Sequence, residues 1–469
     1  MRNKQLVVAE SHKRWAVSAT IVSFAFISAV LLAPAIYNRF PLMFPDTTAY
    51  LNVAYGGHWT IDRSAFYGLM YSPVRLSDTS VGLWLATMGQ CALIASILLL
   101  FARRVAPQAS SFTAVMIIVA TAFLSSLPWH AAQLMPDAYT GVLILTVWLV
   151  ASRNIDAPGT PLLWLLSVVL ALTHYTHIAL LAIGGLTSLA FGAATRLPAR
   201  ELGKRSAALL IAVSAAAGTQ VAVNGSLFGR WTVSPLGSWF MFARLNEDGL
   251  VPQWLDAHCG KDAPPELCAI RETLPRDSQV LLWSTSSPLY PYIHQQKGSP
   301  VAWHWVDMLG QAANGSIREH PITFSMNIGR AAVRQFLHFE TLDDLCPEQC
   351  QARHIVRERP KLRDPMRNSR QLRDKMPKDI IRAVQTPVAA AALLFLPALF
   401  FWARRRKDKL VGNLIATVLV CFVANSALTG GLSDVHDRYQ SRVVWIAPFV
   451  VLLLAARWYA PSLSRLRRR

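Results

Sequence analysis

Long apolar runs separated by short polar segments make up most of this 469-residue chain. The first, "WAVSATIVSFAFISAVLLAPAIY" (15–37), exceeds the roughly 7–15 apolar residues of a secretion-signal core, and no small-residue cleavage site closes it. It reads as a retained helix. Further runs follow at 81–101, 111–127, 139–151, 161–173, 177–194, 207–223, 388–402, 410–428 and 443–458. Most approach the length that crosses about 30 Å of hydrocarbon, while the fourth and fifth fall short of the roughly 17-residue minimum. Backbone facing lipid must satisfy its own hydrogen bonds, which selects helices. The pattern therefore predicts an all-α polytopic membrane protein with about ten transmembrane helices.

The pattern breaks once, between the seventh and eighth runs. This divides the chain into an N-terminal membrane block (1–223), a soluble insert (224–382) and a C-terminal membrane block (383–469). At roughly 150 residues the insert has the size of a small domain. It is rich in tryptophan and proline, as in "LLWSTSSPLYPY" and "SPVAWHWVDM". Within it, "IREHPITFSMNIGRAAVRQFLHF" has apolar residues at helical spacing and predicts an amphipathic helix. Two fates are open to that helix: packing against the insert, which is the commoner, or lying on the exterior leaflet. The insert closes with the basic stretch "IVRERPKLRDPMRNSRQLRDKMPKDIIR". It reads either as a solvated linker or as a patch for lipid phosphates, each Lys or Arg contributing about 1 kcal/mol near an anionic surface.

Composition agrees with a membrane protein. The chain is 53% hydrophobic and 16% charged, with a mean hydropathy of +0.32, whereas about a quarter of residues are charged in soluble domains. The net charge of +19 adds orientation. Arg2, Lys4, Lys13 and Arg14, then Arg103 and Arg104, Arg153, the basic residues 196–205, "RRRKDK" and the terminal "RLRRR" all fall on one side of a ten-span arrangement. By the positive-inside rule both termini are expected to be cytoplasmic and the insert exterior; a bacterial inner membrane is the expected setting, on topology alone. No nucleic-acid partner is expected, because the cytoplasmic loops are too short to form a recognition domain.

Four of the six cysteines, Cys259, Cys268, Cys346 and Cys350, lie in the insert, and Cys91 and Cys421 lie within spans. Exterior cysteines in even number suggest disulfides. Pairing within "HCGKDAPPELC" and within "CPEQC" is the local expectation, with other connectivities open. A zinc site is the weaker alternative, given the irregular spacing.

Polar clusters stand at the exterior ends of the spans. Asp46 follows the first span in "FPDTTAY", with Asp62 and Arg63 later in that loop. His130 and Asp137 flank the next exterior turn, the latter in "LMPDAYTG". His174, Tyr175 and His177 form "THYTHI", and "GGLSDVHDRYQSR" supplies Asp434, His436, Asp437, Arg438, Tyr439 and Arg442. Ionisable groups at membrane depth are costly and tend to be functional. A lipid-linked phosphosugar holds its tail in the bilayer and its phosphate at the interface. A carboxylate there can deprotonate an acceptor hydroxyl, and arginine or histidine can balance the departing phosphate.

These loops resemble the GT-C superfamily of polyprenyl-phosphate-sugar-dependent glycosyltransferases, which includes protein O-mannosyltransferases and lipid A aminoarabinose transferases. The resemblance lies in the many spans, the N-terminus inside, and an acid in the first exterior loop, here Asp46. Asp137 matches the acid often found in the second exterior loop, and the insert falls where protein O-mannosyltransferases carry a soluble domain. The first-loop motif is often an Asp-Glu pair, whereas Thr47 follows Asp46. The resemblance implies an inverting transferase that uses a polyprenyl-phosphate sugar donor and a lipid, glycan or protein acceptor, in contact with membrane lipids. Asp46 would be the base and Asp137 would support the acceptor. Arg63, His130, His174, His177, His436, Arg438, Tyr439 and Arg442 would bind substrate. No resident cofactor is required, and a divalent metal is optional.

Each residue also has a plainer reading. Asp46 and Asp137 suit helix caps or turns behind a proline. His174 and His177 suit a hydrogen-bonded turn better than a metal site. His436 and Arg438 suit interfacial anchors. "NGS" at Asn224 and Asn314 matches the glycosylation pattern, a short motif of little weight. The rival functions are a polysaccharide polymerase or ligase working through Arg and His, a flippase or transporter for a lipid-linked glycan, and a non-catalytic assembly subunit. Charges near the bilayer midplane and internal repeats, which mark transporters, are not visible in the sequence.

Overall fold

The computed structural model describes residues 2–56, 59–74, 79–153, 155–342, 345 and 360–466, with side chains from residue 20 to residue 459. Regular structure among these residues is helical, and the one β-type contact among them is an isolated bridge between Leu42 and Gln133. The N-terminal half runs α1 (Arg2–Asn38), α2 (Thr47–Ala54), α3 (Phe66–Tyr71), α4 (Ser80–Val105), α5 (Ser111–Leu124), α6 (Leu127–Ala131), α7 (Asp137–Ser152), α8 (Thr160–Leu172), α9 (Tyr175–Ala194) and α10 (Ala199–Phe228). The insert contributes α11 (Gly237–Glu247), α12 (Leu250–His258), α13 (Pro265–Ile270), α14 (Ser278–Trp283), α15 (Tyr290–Ile293), α16 (Pro300–Glu319), α17 (Pro321–Leu337) and α18 (Pro360–Arg367). The chain ends with α19 (Lys378–Arg405), α20 (Lys409–Ser426), a π-helical turn (Ala427–Gly431), α21 (Asp437–Val444) and α22 (Ile446–Leu466).

Seven segments of the described chain are long and apolar enough to cross a membrane: Thr20–Asn38, Ser80–Val105, Tyr175–Ala194, Ala199–Phe228, Lys378–Arg405, Lys409–Gly431 and Asp437–Tyr459. The other three expected runs form the shorter apolar helices α5, α7 and α8, of 14, 16 and 13 residues. Of these, α7 is buried from Asp137 to Ala151, enclosed by α4, α8, α9, α20 and α21. A helix enclosed on all sides needs no polar face, which is why its sequence shows none beyond its first turn.

Two cores result. The larger joins the membrane helices around α7, with Leu98, Trp148, Phe422 and Phe449 fully buried. The second belongs to the insert, built on Trp239, Phe242, Trp254, Leu281 and Leu309, and Ile61 of the first loop inserts into it. Both expected insert boundaries, 223/224 and 382/383, fall inside continuous helices, α10 and α19. Polar residues at the ends of these helices obscured their length in the apolar pattern.

The described portion of the basic stretch is anchored at a few points, while Lys361, Arg363, Arg367, Arg373 and Lys375 stay exposed. Ser369, Gln371 and Met376 are buried, and Gln371 N–H donates to Asn38 Oδ1 at 2.7 Å. Cys259 and Cys268 form a disulfide with a Cα–Cα distance of 5.7 Å, as their spacing suggested. Cys346 and Cys350 lie outside the described residues, and Cys91 and Cys421 are buried free thiols. Asn224 is buried and donates to Thr232 O and Val233 O at 2.8 and 2.9 Å, an environment no glycan could occupy.

Candidate functional site

Backbone pairing joins the loops that carry the candidate acids. Leu42 N–H donates to Ala132 O at 3.1 Å, and Leu134 N–H donates to Leu42 O at 2.9 Å. The Thr47 hydroxyl adds a bond to Leu134 O at 3.0 Å. Met43 N–H donates to Gln371 Oε1 at 3.2 Å, and the Gln371 amide donates back to Met43 O. Asp46 and Asp137 thereby share one end of the bundle.

Asp46 precedes α2 without capping it through its side chain. Its carboxylate is instead ion-paired with Arg63, and Oδ2 lies 3.8 Å from Nη1 of Arg438. Arg63 also reaches Asp62 at 3.5 Å, and Asp62 lies 3.3 Å from Lys297 Nζ of the insert. The result is a row of alternating charge: Arg438, Asp46, Arg63, Asp62, Lys297. Burial alone would lower the Arg63 pKa, but Asp46 and Asp62 outweigh it and hold it above its usual range. Burial would raise Asp62, yet Arg63 and Lys297 bring it below the usual carboxylate value. Aromatic faces back the guanidinium groups. Arg438 lies 3.8 Å from the Phe44 ring centroid and 4.9 Å from that of Tyr439, and Arg63 lies 5.6 Å from that of Trp283. Arg438 Nε and Nη1 and Arg63 Nε are buried without a hydrogen-bond acceptor.

Asp137 sits one layer deeper. Arg442 Nη1 donates to its Oδ1 at 2.8 Å and Arg442 Nη2 donates to Asn425 Oδ1 at 3.0 Å. Asn425 donates in turn to Tyr439 O at 2.7 Å. Both guanidinium groups, of Arg438 and Arg442, face the Tyr439 ring.

The histidines divide by environment. His130 Nε2 lies 3.0 Å from Ser441 Oγ, and burial, against the pull of Asp137, takes its pKa down to about 4. It is neutral at neutral pH. His174 accepts the Thr176 N–H at 3.2 Å and so caps α9. His177 is fully buried, with Nε2 2.8 Å from Thr140 Oγ1 and Nδ1 3.1 Å from both Thr173 Oγ1 and Leu170 O. Protein groups occupy both its ring nitrogens. His436 Nε2 lies 3.5 Å from Asp434, and its backbone N–H and O bond the Gln335 amide at 3.0 and 2.8 Å. Burial would raise Asp434, but the His436 contact and the Val435 N–H hold it below its usual value. Among the described residues, no group of three or more His, Cys, Asp or Glu side chains could hold a metal ion.

Two cavities flank this region. One, with room for about one water, is lined by Thr47, Tyr50, Tyr67, Tyr71, Leu83 and Leu134 among others. The other, equally small, is lined by Trp129, His130, Gln133, Thr341, Arg438 and Ser441 among others. Such a site offers a carboxylate with two cationic neighbours, one of them holding unused donors beside a cavity. The donors of Arg438 suit an anion, and Asp46 is the acid beside them.

The tertiary structure adds residues that the pattern of the chain had not singled out: Asn425, Ser441, Gln335, Gln371 and Lys297. Only Asn425 carried a readable signal, as a polar residue inside the apolar run "CFVANSAL". The others became relevant through contacts distant in sequence.

No protein-family model, curated protein or solved structure matches the chain.

Proposed function

We propose that the chain is an integral membrane glycosyltransferase of the GT-C type, moving a sugar from a polyprenyl-phosphate donor to a lipid, glycan or protein acceptor. One observation carries this reading. An acid from the first loop lies 3.8 Å from an arginine that follows the π-helical turn, at one end of a membrane bundle. In the reaction Asp46 takes the acceptor's hydroxyl proton as the acceptor oxygen attacks the anomeric carbon. The bond from that carbon to the phosphate oxygen breaks, and the phosphate leaves with the electron pair. A single displacement of this kind inverts the anomeric centre. Arg438, whose Nε and Nη1 have no hydrogen-bond acceptor, balances the charge gained by the phosphate. An incoming phosphate also competes for the guanidinium groups that hold Asp46, which frees the carboxylate to act as a base. Asp137 is a positioning residue, acting through Arg442 on the segment that bears Arg438 and Tyr439.

The same reading includes ten spans, cytoplasmic termini and a site facing the exterior of a bacterial inner membrane. Reporter fusions after residues 106, 154 and 405 on the expected inner side, and after residue 261 in the insert, test that topology. Cytoplasmic signal from the insert fusion would overturn it.

A second reading is an acid-independent polymerase or ligase. It is favoured by the engagement of Asp46 with two guanidinium groups, which occupy the oxygens that a base would use. One experiment separates the two: mass spectrometry of surface glycans and glycolipids from a deletion strain complemented with wild type or Asp46→Asn. Loss of one sugar mass, restored by wild type only, is the outcome expected for the transferase. Equal rescue by both removes Asp46 from the chemistry.

A further inference from the structure

The amphipathic helix α17 uses two opposite faces. Its inner face packs on the π-helical turn that closes the Lys409–Gly431 span. A Cβ on Gly430 would lie 2.4 Å from Gln335 Cβ, and one on Gly431 would lie 3.0 Å from Ile328 Cγ2. Glycine at both positions allows the helix to approach this closely. Phe324 packs against the insert core and Phe336 against the bundle core, so α17 bridges the two at the end of a span.

The outer face has no cover in the folded chain. Ile322, Met326, Val333 and Leu337 are 74%, 48%, 62% and 65% exposed. Their spacing of four, seven and four residues forms one stripe along the helix. Arg330 and Arg334 are also exposed, and the helix contains no acidic residue. The neighbouring α20 exposes Val420 and Val423 within its own span, and α19 exposes Ile380 and Val384 at its start. These span residues are at home in lipid, and the α17 stripe lies beside the same end of the bundle.

We propose that α17 is an interfacial helix whose stripe rests in the hydrocarbon border of the leaflet on the Asp46–Arg438 side of the bundle. A strong apolar stripe with flanking basic residues is the signature of helices that lie in the membrane plane. Arg330 and Arg334 extend their stems along the stripe and place their charges among lipid phosphates. Charge complementarity and continuity with the span surfaces favour lipid over a protein partner. The opposite face holds both backbone polar atoms of His436 through Gln335, two residues before Arg438. The segment that presents Arg438 is therefore suspended from a helix resting on lipid. None of this depends on the transferase reading.

The test uses the full chain in phospholipid nanodiscs. An environment-sensitive dye is attached through a genetically encoded azide at position 322, 326, 333 or 337, one per protein, with Lys261 of the insert as the reference. Quenching by a phospholipid spin-labelled near the headgroup is compared with quenching by aqueous iodide. The expected result is several-fold stronger lipid quenching at the four stripe positions and the reverse at position 261. Strong iodide quenching along the stripe would overturn the proposal by showing a water-facing surface. Protection from both quenchers would overturn it in favour of a protein partner or a second copy of the chain.

Discussion

Arg442 and Asp137, 305 positions apart in the chain, meet at 2.8 Å where neither side chain shares the contact with solvent. Such a pair is retained only if both partners stay, because a buried charge left alone costs far more than the pair contributes. It acts as a clasp between the first turn of α7 and the short helix α21 that carries Arg438.

Breaking the clasp should therefore harm folding before chemistry. Asp137→Asn or Arg442→Met is expected to cost about 3–5 kcal/mol, with the double substitution costing less than the sum. Thermal unfolding of the four proteins in detergent gives the cycle. Strict additivity would show that the two side chains do not act as a pair.

Gln371 reaches both backbone polar groups of Met43, three residues before Asp46. Gln371→Leu leaves those buried groups unpaired, at a cost of about 1–3 kcal/mol. Hydrogen exchange should speed up at amides 42–47 while the insert helices keep their protection. Unchanged exchange across 42–47 would show that the first loop is held by other contacts.

His130 predicts a pH dependence. Its folded pKa, about 4 through burial, lies below the unfolded value near 6.5. The fold favours the neutral ring, so its contribution is complete above pH ~6.5 and is lost as pH falls toward and through ~4. Between pH ~6.5 and ~5 the loss is about 2 kcal/mol at roughly 1.36 kcal/mol per pKa unit. His130→Gln should show a smaller drop in melting temperature between pH 7 and pH 5 than the wild type. An equal drop would place the acid sensitivity in other groups.

The Cys259–Cys268 bond closes a short loop within the insert, with a sequence separation of nine residues. Loop-closure arguments give such a bond about 2–3 kcal/mol. Alkylation without reductant should leave both cysteines unmodified, and Cys259→Ser should lower the melting temperature of the insert. Ready alkylation of Cys259 and Cys268 in the native protein would exclude the bond under those conditions.

Much of this architecture was legible in the apolar pattern because burial in lipid or in a helix bundle needs only side-chain chemistry and length. The helices, their α-only character and the break at the insert follow from that local rule. Helix ends were less legible. Lys378 to Gln385 belong to α19 and Asn224 to Phe228 belong to α10, yet polar residues there interrupt the apolar count. The candidate acids were visible as charged residues at span ends, but their partners were not. Asp46 between Arg63 and Arg438, and Asp137 against Arg442, depend on pairings across the fold that no spacing encodes.

By itself, then, the sequence determined that this chain is helical, membrane-type and polar at the ends of its spans, since each of these is a property of short segments. Tertiary structure alone decided which charges neutralise one another, that His177 is enclosed while His130 lines a cavity, and that α17 turns an apolar stripe outward. The physical reason is range. Hydrophobic periodicity acts over a few turns of helix, whereas ion pairing and burial depend on which distant segments the fold brings within a few ångströms.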